Sequence, residues 1–188
     1  NVQDKIVQTG WPMEYMKDTL KDYAGMEKRD LILFPHRIAP EKQPEIFRDL
    51  AQNLPEYEFV VCQDKQLTKD EYHKLLGEAK MVFSANTQET LGISPYEGVL
   101  VGAMPMVPDR LSYTEMYDDI WKYDSSWTSS YESYKINKHK LVDLIKDDME
   151  NYDKKLPKLF DLEQELTYNY FSANNLLNTI HSYGDKEN

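Results

Sequence analysis

Four short apolar runs punctuate the first 110 residues of the chain. None of them alternates between apolar and polar positions, and they occupy residues 31–34, 57–62, 81–84 and 104–107. Continuous apolar runs of this length are typical of strands that are buried on both faces of a sheet. We therefore expect four buried strands, with residues 5–8 as a candidate fifth.

The segments between these runs have helical spacing. Residues 41–52 carry apolar side chains on one helical stripe, which predicts an amphipathic helix. Thr68 and Glu71 form a capping-box pattern ahead of a helix through residue 79. The alternation of strands and helices predicts an α/β fold, a Rossmann-like parallel sheet with helices on both faces. Ligands of such sheets bind outside the carboxyl ends of the strands.

A second capping-box pattern follows the third apolar run. Ser94 and Glu97 stand three positions apart, and Pro95 follows Ser94 directly. Proline is favoured at the first position of a helix, and a glutamate three residues after the cap completes the box. The pattern predicts a helix that begins after Ser94 and extends to residue 103.

The chain changes character after residue 117. Residues 118–134 are rich in aromatic residues and serine, and helical spacing returns at 137–152 and 162–183. We interpret residues 118–188 as a mostly helical appendage within a single domain, residues 1–188. If the last helix crosses to another domain, four of its side chains should stay partly uncovered: Tyr168, Tyr170, Phe171 and Leu177.

Charge and composition limit the partners of the chain. A net charge of −11 repels nucleic-acid phosphates and anionic membranes, so we expect no direct nucleic-acid binding. The longest nearly apolar stretch, residues 98–107, is too short to span a membrane. The single cysteine, Cys62, fits a cytoplasmic location. The chain begins at Asn1, and we expect it to be a fragment of a longer protein.

Two basic residues follow the first predicted strand. Arg37 and Lys42 lie five positions apart, after the strand and before the next helix. At this edge of a parallel sheet, a planar guanidinium and a mobile ammonium could meet a diphosphate. Taken alone, the pair is better explained as two solvated loop charges.

Two carboxylates flank a glycine after the third predicted strand. Glu89 and Glu97 lie eight positions apart, and Gly92 stands between them, just before a helix. Free backbone N–H groups and the helix dipole favour an anion at such a place. Glu89 could accept hydrogen bonds from sugar hydroxyls, and Glu97 could accept them from a ribose. The alternatives are a solvated loop acid for Glu89 and a helix cap for Glu97.

The combination of these two motifs resembles a known enzyme family. The run ETLGISPYEGVLVGAMPMV at residues 89–107, with Arg37 and Lys42 upstream, looks like the donor-site signature of retaining, nucleotide-sugar-dependent glycosyltransferases of the GT-B type. Within that family, residues 108–113 and the His36-Arg37 pair are most similar to the tRNA-queuosine mannosyltransferase group. The resemblance covers roughly residues 30–117.

The resemblance implies that the chain is the donor-binding, C-terminal half of a hexosyltransferase, inactive or weakly active alone. GDP-mannose or a UDP-hexose would be the donor, with no further cofactor, and an N-terminal domain would bind an unknown acceptor. The roles carried over are diphosphate binding by Arg37 and Lys42, a catalytic role at the sugar hydroxyls for Glu89, phosphate and sugar contacts by the backbone of Leu91, Gly92 and Ile93, and ribose binding by Glu97.

Two features depart from the family pattern. Only residues 63–67 separate the second apolar run from Thr68, where the family usually has a further strand and helix that help to shape the base pocket. His36 stands where a small residue is usual. It could donate a hydrogen bond to a phosphate, or it could be a packed loop histidine.

The sequence has no Asp-x-Asp pair, and its 4 histidines lack metal-ligand spacing. We therefore expect a metal-independent site. A non-catalytic nucleotide- or phosphate-binding module, or an unrelated doubly wound protein such as an epimerase, would be the alternative function.

Overall fold

The computed structural model describes residues 6–184. A five-stranded sheet forms its centre, and all neighbouring strands run parallel in the spatial order β2-β1-β3-β4-β5. The strands are β1 (Arg29–Phe34), β2 (Glu58–Val61), β3 (Ala79–Phe83), β4 (Met104–Pro108) and β5 (Lys122–Tyr123). The predicted α/β Rossmann-like fold and its four strands are confirmed, but β2 lies at the edge of the sheet and only its last two residues are buried. Every residue of β4 and of the second half of β1 is buried, because these interior strands are covered on both faces.

The fifth strand was predicted in the wrong place. Residues 6–8 form no strand, and Lys5 lies outside the described residues. The fifth strand is β5, which pairs in parallel with Val107 and Pro108 at the edge of the sheet. Because β5 has only two residues and lies in a segment rich in aromatics, it is too short to show the periodic pattern by which a strand is recognised in a sequence.

Within the described residues, eight α-helices accompany the sheet. They are α1 (Tyr15–Leu20), α2 (Pro44–Asn53), α3 (Lys69–Glu78), α4 (Ile93–Leu100), α5 (Ser112–Met116), α6 (Tyr131–Glu150), α7 (Tyr152–Asn169) and α8 (Asn174–Gly184). The capping box at the start of α3 is confirmed. The Thr68 hydroxyl accepts from the Glu71 N–H at 3.3 Å, and the Glu71 carboxylate accepts from the Thr68 N–H at 2.8 Å.

The second predicted capping box is wrong. Gly92, in a left-handed conformation with φ of 68°, is the N-cap of α4, so Ser94 already lies inside the first turn. Glu97 therefore caps nothing, and its carboxylate accepts a hydrogen bond from Tyr72 instead. The helix ends at Leu100 rather than at residue 103, because Gly102, with φ of 84°, turns the chain into β4.

The C-terminal part contains three helices where the sequence predicted two. The predicted helix at 137–152 begins earlier, as α6, and the predicted helix at 162–183 is divided between α7 and α8. Helix α6 packs against α2, and α7 packs against α4. No helix among residues 6–184 combines the length and apolar character that crossing a membrane requires.

The break between α7 and α8 places an aromatic side chain in the core. Phe171 is fully buried and stacks on Tyr96 of α4, with ring centroids 3.8 Å apart. The expectation of partial exposure is therefore wrong for Phe171. Tyr168 and Leu177 are 52% and 49% exposed, as expected, and Tyr170 is partly buried.

We predict that Phe171→Ala lowers the free energy of unfolding by about 3–5 kcal/mol, because it leaves a cavity against Tyr96. Phe160→Ala is the matched control, since Phe160 lies on α7 with 62% of its surface exposed, and it should cost less than about 1 kcal/mol. Urea unfolding followed by circular dichroism measures both. Similar small losses in the two variants would contradict the described packing of Phe171.

Candidate functional site

Two loops meet at the carboxyl ends of neighbouring interior strands. Residues 35–43 follow β1, and residues 84–92 follow β3. Backbone and side chain of Thr87 both donate to the Glu41 carbonyl, at 2.8 and 3.2 Å, and tie the loops together. Their edge of the sheet is the one at which parallel α/β folds bind ligands.

An ion pair between Lys42 and Glu89 joins these loops. The Lys42 ammonium donates to the Glu89 carboxylate at 3.1 Å and to the Gln88 carbonyl at 2.8 Å. Their side chains are only 12% and 17% exposed. The Glu89 carboxylate also accepts from the Thr90 N–H at 3.0 Å. Neither residue is a solvated loop charge, so the structure excludes that alternative for both.

Buried polar side chains hold the Glu89 carboxylate from behind. The Asn86 amide donates to it at 2.9 Å and to the Tyr113 hydroxyl at 3.3 Å, and that hydroxyl lies 3.4 Å from the Ser84 hydroxyl. Asn86, Ser84 and Tyr113 are fully buried. The Asn86 amide oxygen is buried and finds no partner among the described residues. This cluster fixes the orientation of Glu89 and leaves a hydrogen-bond acceptor beside it.

The electrostatic surroundings keep Glu89 ionised. Burial raises its pKa, but hydrogen bonds from the Thr90 and Gly92 backbone and the charge of Lys42 outweigh burial and leave the pKa below its ordinary value. The carboxylate therefore takes up backbone N–H groups at the start of α4. Such groups would otherwise be available to an external anion.

The Gly92 backbone approaches Tyr113 so closely that no side chain fits. A Cβ at position 92 would lie 2.6 Å from Tyr113 Cε1. Leu91 is partly buried and Ile93 is 40% exposed. The backbone of positions 91–93 lies at the start of α4, and its Gly92 N–H contacts the Glu89 carboxylate.

Arg37 stands apart from the Lys42–Glu89 pair. Its guanidinium forms an ion pair with Glu41, and its side chain is 69% exposed. The structure thus brings Lys42, Glu89 and the start of α4 together, while Arg37 lies on the rim of the loop. Exposed pairs of this kind are weak, so Arg37 is free to change partner.

Glu97 lies beside an adjoining cleft. A cavity of about 440 Å³ is lined by residues that include His36, Arg37, Gln63, Gln66 and Tyr72. The Tyr72 hydroxyl donates to the Glu97 carboxylate at 2.8 Å. Burial raises the pKa of Glu97 above its ordinary value, and the hydrogen bond from Tyr72 opposes that rise.

His36 packs into the base of the first loop. It is 5% exposed and meets the Phe34 ring edge to face, with centroids 5.1 Å apart. Burial, followed by the charge of Lys42, lowers its pKa to about 4, so the imidazole is neutral at pH 7. Its Nε2 atom is buried and has no partner among the described residues. These contacts favour the packed loop histidine.

A larger cavity, of about 640 Å³, lies at the opposite edge of the sheet. Its two strongly perturbed groups are Lys28, whose pKa burial lowers to about 7, and Tyr152, whose pKa burial raises to about 12. The Lys28 ammonium is already engaged with the carbonyls of Ala79 and Val101, at 3.0 and 2.6 Å. Asp153 and Glu163 also line this cavity. It therefore lacks the converging donors that an anionic ligand needs.

Sequence reasoning missed the residues that support the site. Asn86 lies just before the motif at residues 89–107 and Tyr113 inside the segment 108–113, but nothing marked either as a partner of Glu89. The Gln43 amide, which donates to the carbonyls of Ala85 and Thr128 at 2.7 Å each, likewise had no signal. The contacts of Gln43 and Tyr113 join residues far apart along the chain and are visible only after folding, whereas Asn86 lies only three residues before Glu89.

No group of three or more potential metal ligands occurs among residues 6–184.

No protein-family model matches the sequence. Solved structures do share the fold. TarM matches with a TM-score of 0.61 and 14% identity, over 84% of this chain and 36% of its own. HepE of Anabaena, solved in complex with UDP, matches with a TM-score of 0.61 and 12% identity, over 95% of this chain and 57% of its own.

The catalytic domain of starch synthase IV from Arabidopsis thaliana, bound to ADP and acarbose, matches with a TM-score of 0.57 and 11% identity, over 90% of this chain and 41% of its own. At these identities the matches show the fold alone, the α/β Rossmann-like arrangement found in GT-B glycosyltransferases. The chain spans between about a third and somewhat more than half of the length of these proteins.

We predict that Gly92→Ala destabilises the protein more than Gly25→Ala does. Both glycines have positive φ, of 68° and 88°, which costs about 1–2 kcal/mol for other residues. A Cβ at Gly25 meets nothing within 4 Å, whereas one at Gly92 collides with Tyr113. Gly25→Ala therefore isolates the conformational cost. Equal losses in urea unfolding would contradict the close approach of Gly92 and Tyr113.

Proposed function

We propose that this chain is the donor-binding half of a retaining glycosyltransferase that transfers a hexose from a nucleotide sugar to an acceptor. The observation that carries the proposal is the convergence of Lys42, Glu89 and the start of α4 at the carboxyl edge of the sheet, with Glu97 bonded to Tyr72 beside the 440 Å³ cleft. A cation, an oriented carboxylate and a helix N-terminus are what a diphosphate joined to a sugar requires.

The diphosphate would be bound by Lys42, Arg37 and the backbone at residues 91–93. Lys42 is held at the crevice by Glu89 and the Gln88 carbonyl. Arg37 is exposed and could leave Glu41 for a phosphate oxygen. In a glycosyl transfer the departing diphosphate gains negative charge, and fixed positive charge around it is a large catalytic contribution. This arrangement would make the reaction independent of a metal ion.

Glu89 would accept hydrogen bonds from the hydroxyls of the transferred sugar. Its carboxylate is ionised and oriented by Asn86. Donors from Asn86, Lys42 and the Thr90 and Gly92 backbone already fill its about four acceptor sites, so a sugar hydroxyl would take the place that Lys42 leaves when its ammonium turns to the diphosphate. A carboxylate acceptor selects a ligand with hydroxyl donors, such as a hexose.

The nucleoside would occupy the 440 Å³ cleft, with its ribose at Glu97. UDP and ADP are bound in two of the structures that share the fold, while the sequence resemblance favours GDP-mannose or a UDP-hexose. The acceptor would be bound mainly by a second domain, which leaves this chain alone inactive or weakly active. We place the enzyme in the cytoplasm, where its one thiol, the buried Cys62, would stay reduced.

A non-catalytic phosphate-binding module is the second candidate. Lys42 and the start of α4 would suffice for that function, and Glu89 would serve only to neutralise Lys42. The two proposals differ in whether the sugar contributes to binding.

We predict that Glu89→Gln reduces the preference for a nucleotide sugar over the bare nucleoside diphosphate by roughly tenfold, the scale of one hydrogen bond to a charged group. GDP with GDP-mannose, and UDP with UDP-glucose, would be titrated calorimetrically. Glu78→Gln is the matched control, since Glu78 also pairs with a cation, Arg29 at 3.0 Å, but at the opposite edge of the sheet. An unchanged preference in Glu89→Gln would favour the phosphate-binding module.

A further inference from the structure

Tyr72 joins α3 to the carboxylate at the edge of the cleft. Its hydroxyl donates to Glu97 Oε2 at 2.8 Å, and its ring lines the same 440 Å³ cavity. Both residues are half-buried. The contact therefore lies at the boundary between the protein and any molecule that fills the cleft.

The short connection after β2 determines where Tyr72 lies. A single turn, Cys62–Asp64, and a few further residues lead from β2 to Thr68. The capping box between Thr68 and Glu71 sets the first turn of α3, and the Tyr72 N–H donates to the Thr68 carbonyl at 3.0 Å. Tyr72 consequently stands one turn into the helix, in a fixed register that faces α4.

Glu97 depends on this hydroxyl for its orientation. Among the residues that the structure describes, Tyr72 is the donor found within hydrogen-bond distance of the Glu97 carboxylate. The favourable charge of Lys69 acts on it only through space. A single donor on Oε2 leaves Oε1 open, and a carboxylate with one free oxygen can accept from two neighbouring hydroxyls.

We propose that Tyr72 is a positioning residue for ribose recognition, holding Glu97 in the rotamer that presents its free oxygen to the 2′- and 3′-hydroxyls of a nucleoside diphosphate. This inference rests on the proposed function, because it requires the nucleoside to occupy the cleft. Without the hydroxyl, the half-buried carboxylate has no partner to keep it at the cleft and turns toward water.

The test is a calorimetric titration of Tyr72→Phe. UDP, GDP and ADP are titrated into the wild-type chain, and the tightest of them is compared with its 2′,3′-dideoxy form. We expect Tyr72→Phe to weaken the ribonucleotide by roughly tenfold, the scale of a hydrogen bond to a charged group. Binding of the dideoxy form should not change, because it has no hydroxyls for Glu97 to receive.

Tyr23→Phe is the matched control. The Tyr23 hydroxyl, like that of Tyr72, donates to a carboxylate. Its acceptor is Asp70 of α3, at 2.5 Å, and this contact lies on the exposed surface. Removal of the Tyr23 hydroxyl should leave the affinities for the ribonucleotide and for its dideoxy form unchanged. If Tyr72→Phe fails to fold, Tyr72→Gln, whose amide can donate to Glu97, should retain a measurable part of the preference for the ribonucleotide.

The outcomes separate this inference from the proposed function. If no nucleoside diphosphate binds the wild-type chain, the proposed function fails and the inference fails with it. If Glu97→Gln weakens the ribonucleotide selectively while Tyr72→Phe does not, the function stands and the positioning role is overturned. Equal weakening of the ribonucleotide and the dideoxy form by Tyr72→Phe would reduce Tyr72 to a packing residue and overturn the inference as well.

Discussion

The ion pair between Lys42 and Glu89 is the contact on which the candidate site depends. It joins the loop after β1 to the loop after β3 where water is largely excluded, with both side chains less than a fifth exposed. Removing one member would leave the other charge desolvated, which is costly. Further hydrogen bonds offset the desolvation of both charges: Lys42 donates to the Gln88 carbonyl, and Glu89 accepts from the Thr90 N–H.

The same pair explains how an acidic protein could accept an anion. The net charge is −11, and a long-range field of that sign opposes the approach of a diphosphate. Glu89 takes the place of the anion at the start of α4 and keeps Lys42 at the crevice. An incoming diphosphate would share Lys42 with Glu89 and draw Arg37 from Glu41, so local rearrangement of existing pairs would supply the positive charge.

The sequence was informative where a pattern is local. Apolar runs located the first four strands, and Thr68 with Glu71 marked the start of α3, because burial and capping leave direct marks on neighbouring residues. The second capping pattern misled, since Gly92 adopts a left-handed conformation and takes the cap position two residues before Ser94. Two partners of the glutamates, Tyr72 and Tyr113, reach them through tertiary contacts that no spacing records. Asn86 is a local partner, three residues before Glu89, but nothing in the sequence marked it as one.

Binding of a nucleotide at the carboxyl edge of the sheet, around Lys42, Glu89 and Glu97, can be followed through amide chemical shifts of the ¹⁵N-labelled chain during titration with UDP and with GDP. We expect the shifts to concentrate in residues 36–43, 62–67 and 84–93, while residues 24–28 and 101–102 at the opposite edge stay unchanged. Shifts centred on the opposite edge, around the 640 Å³ cavity beside Lys28, would contradict binding at the carboxyl edge.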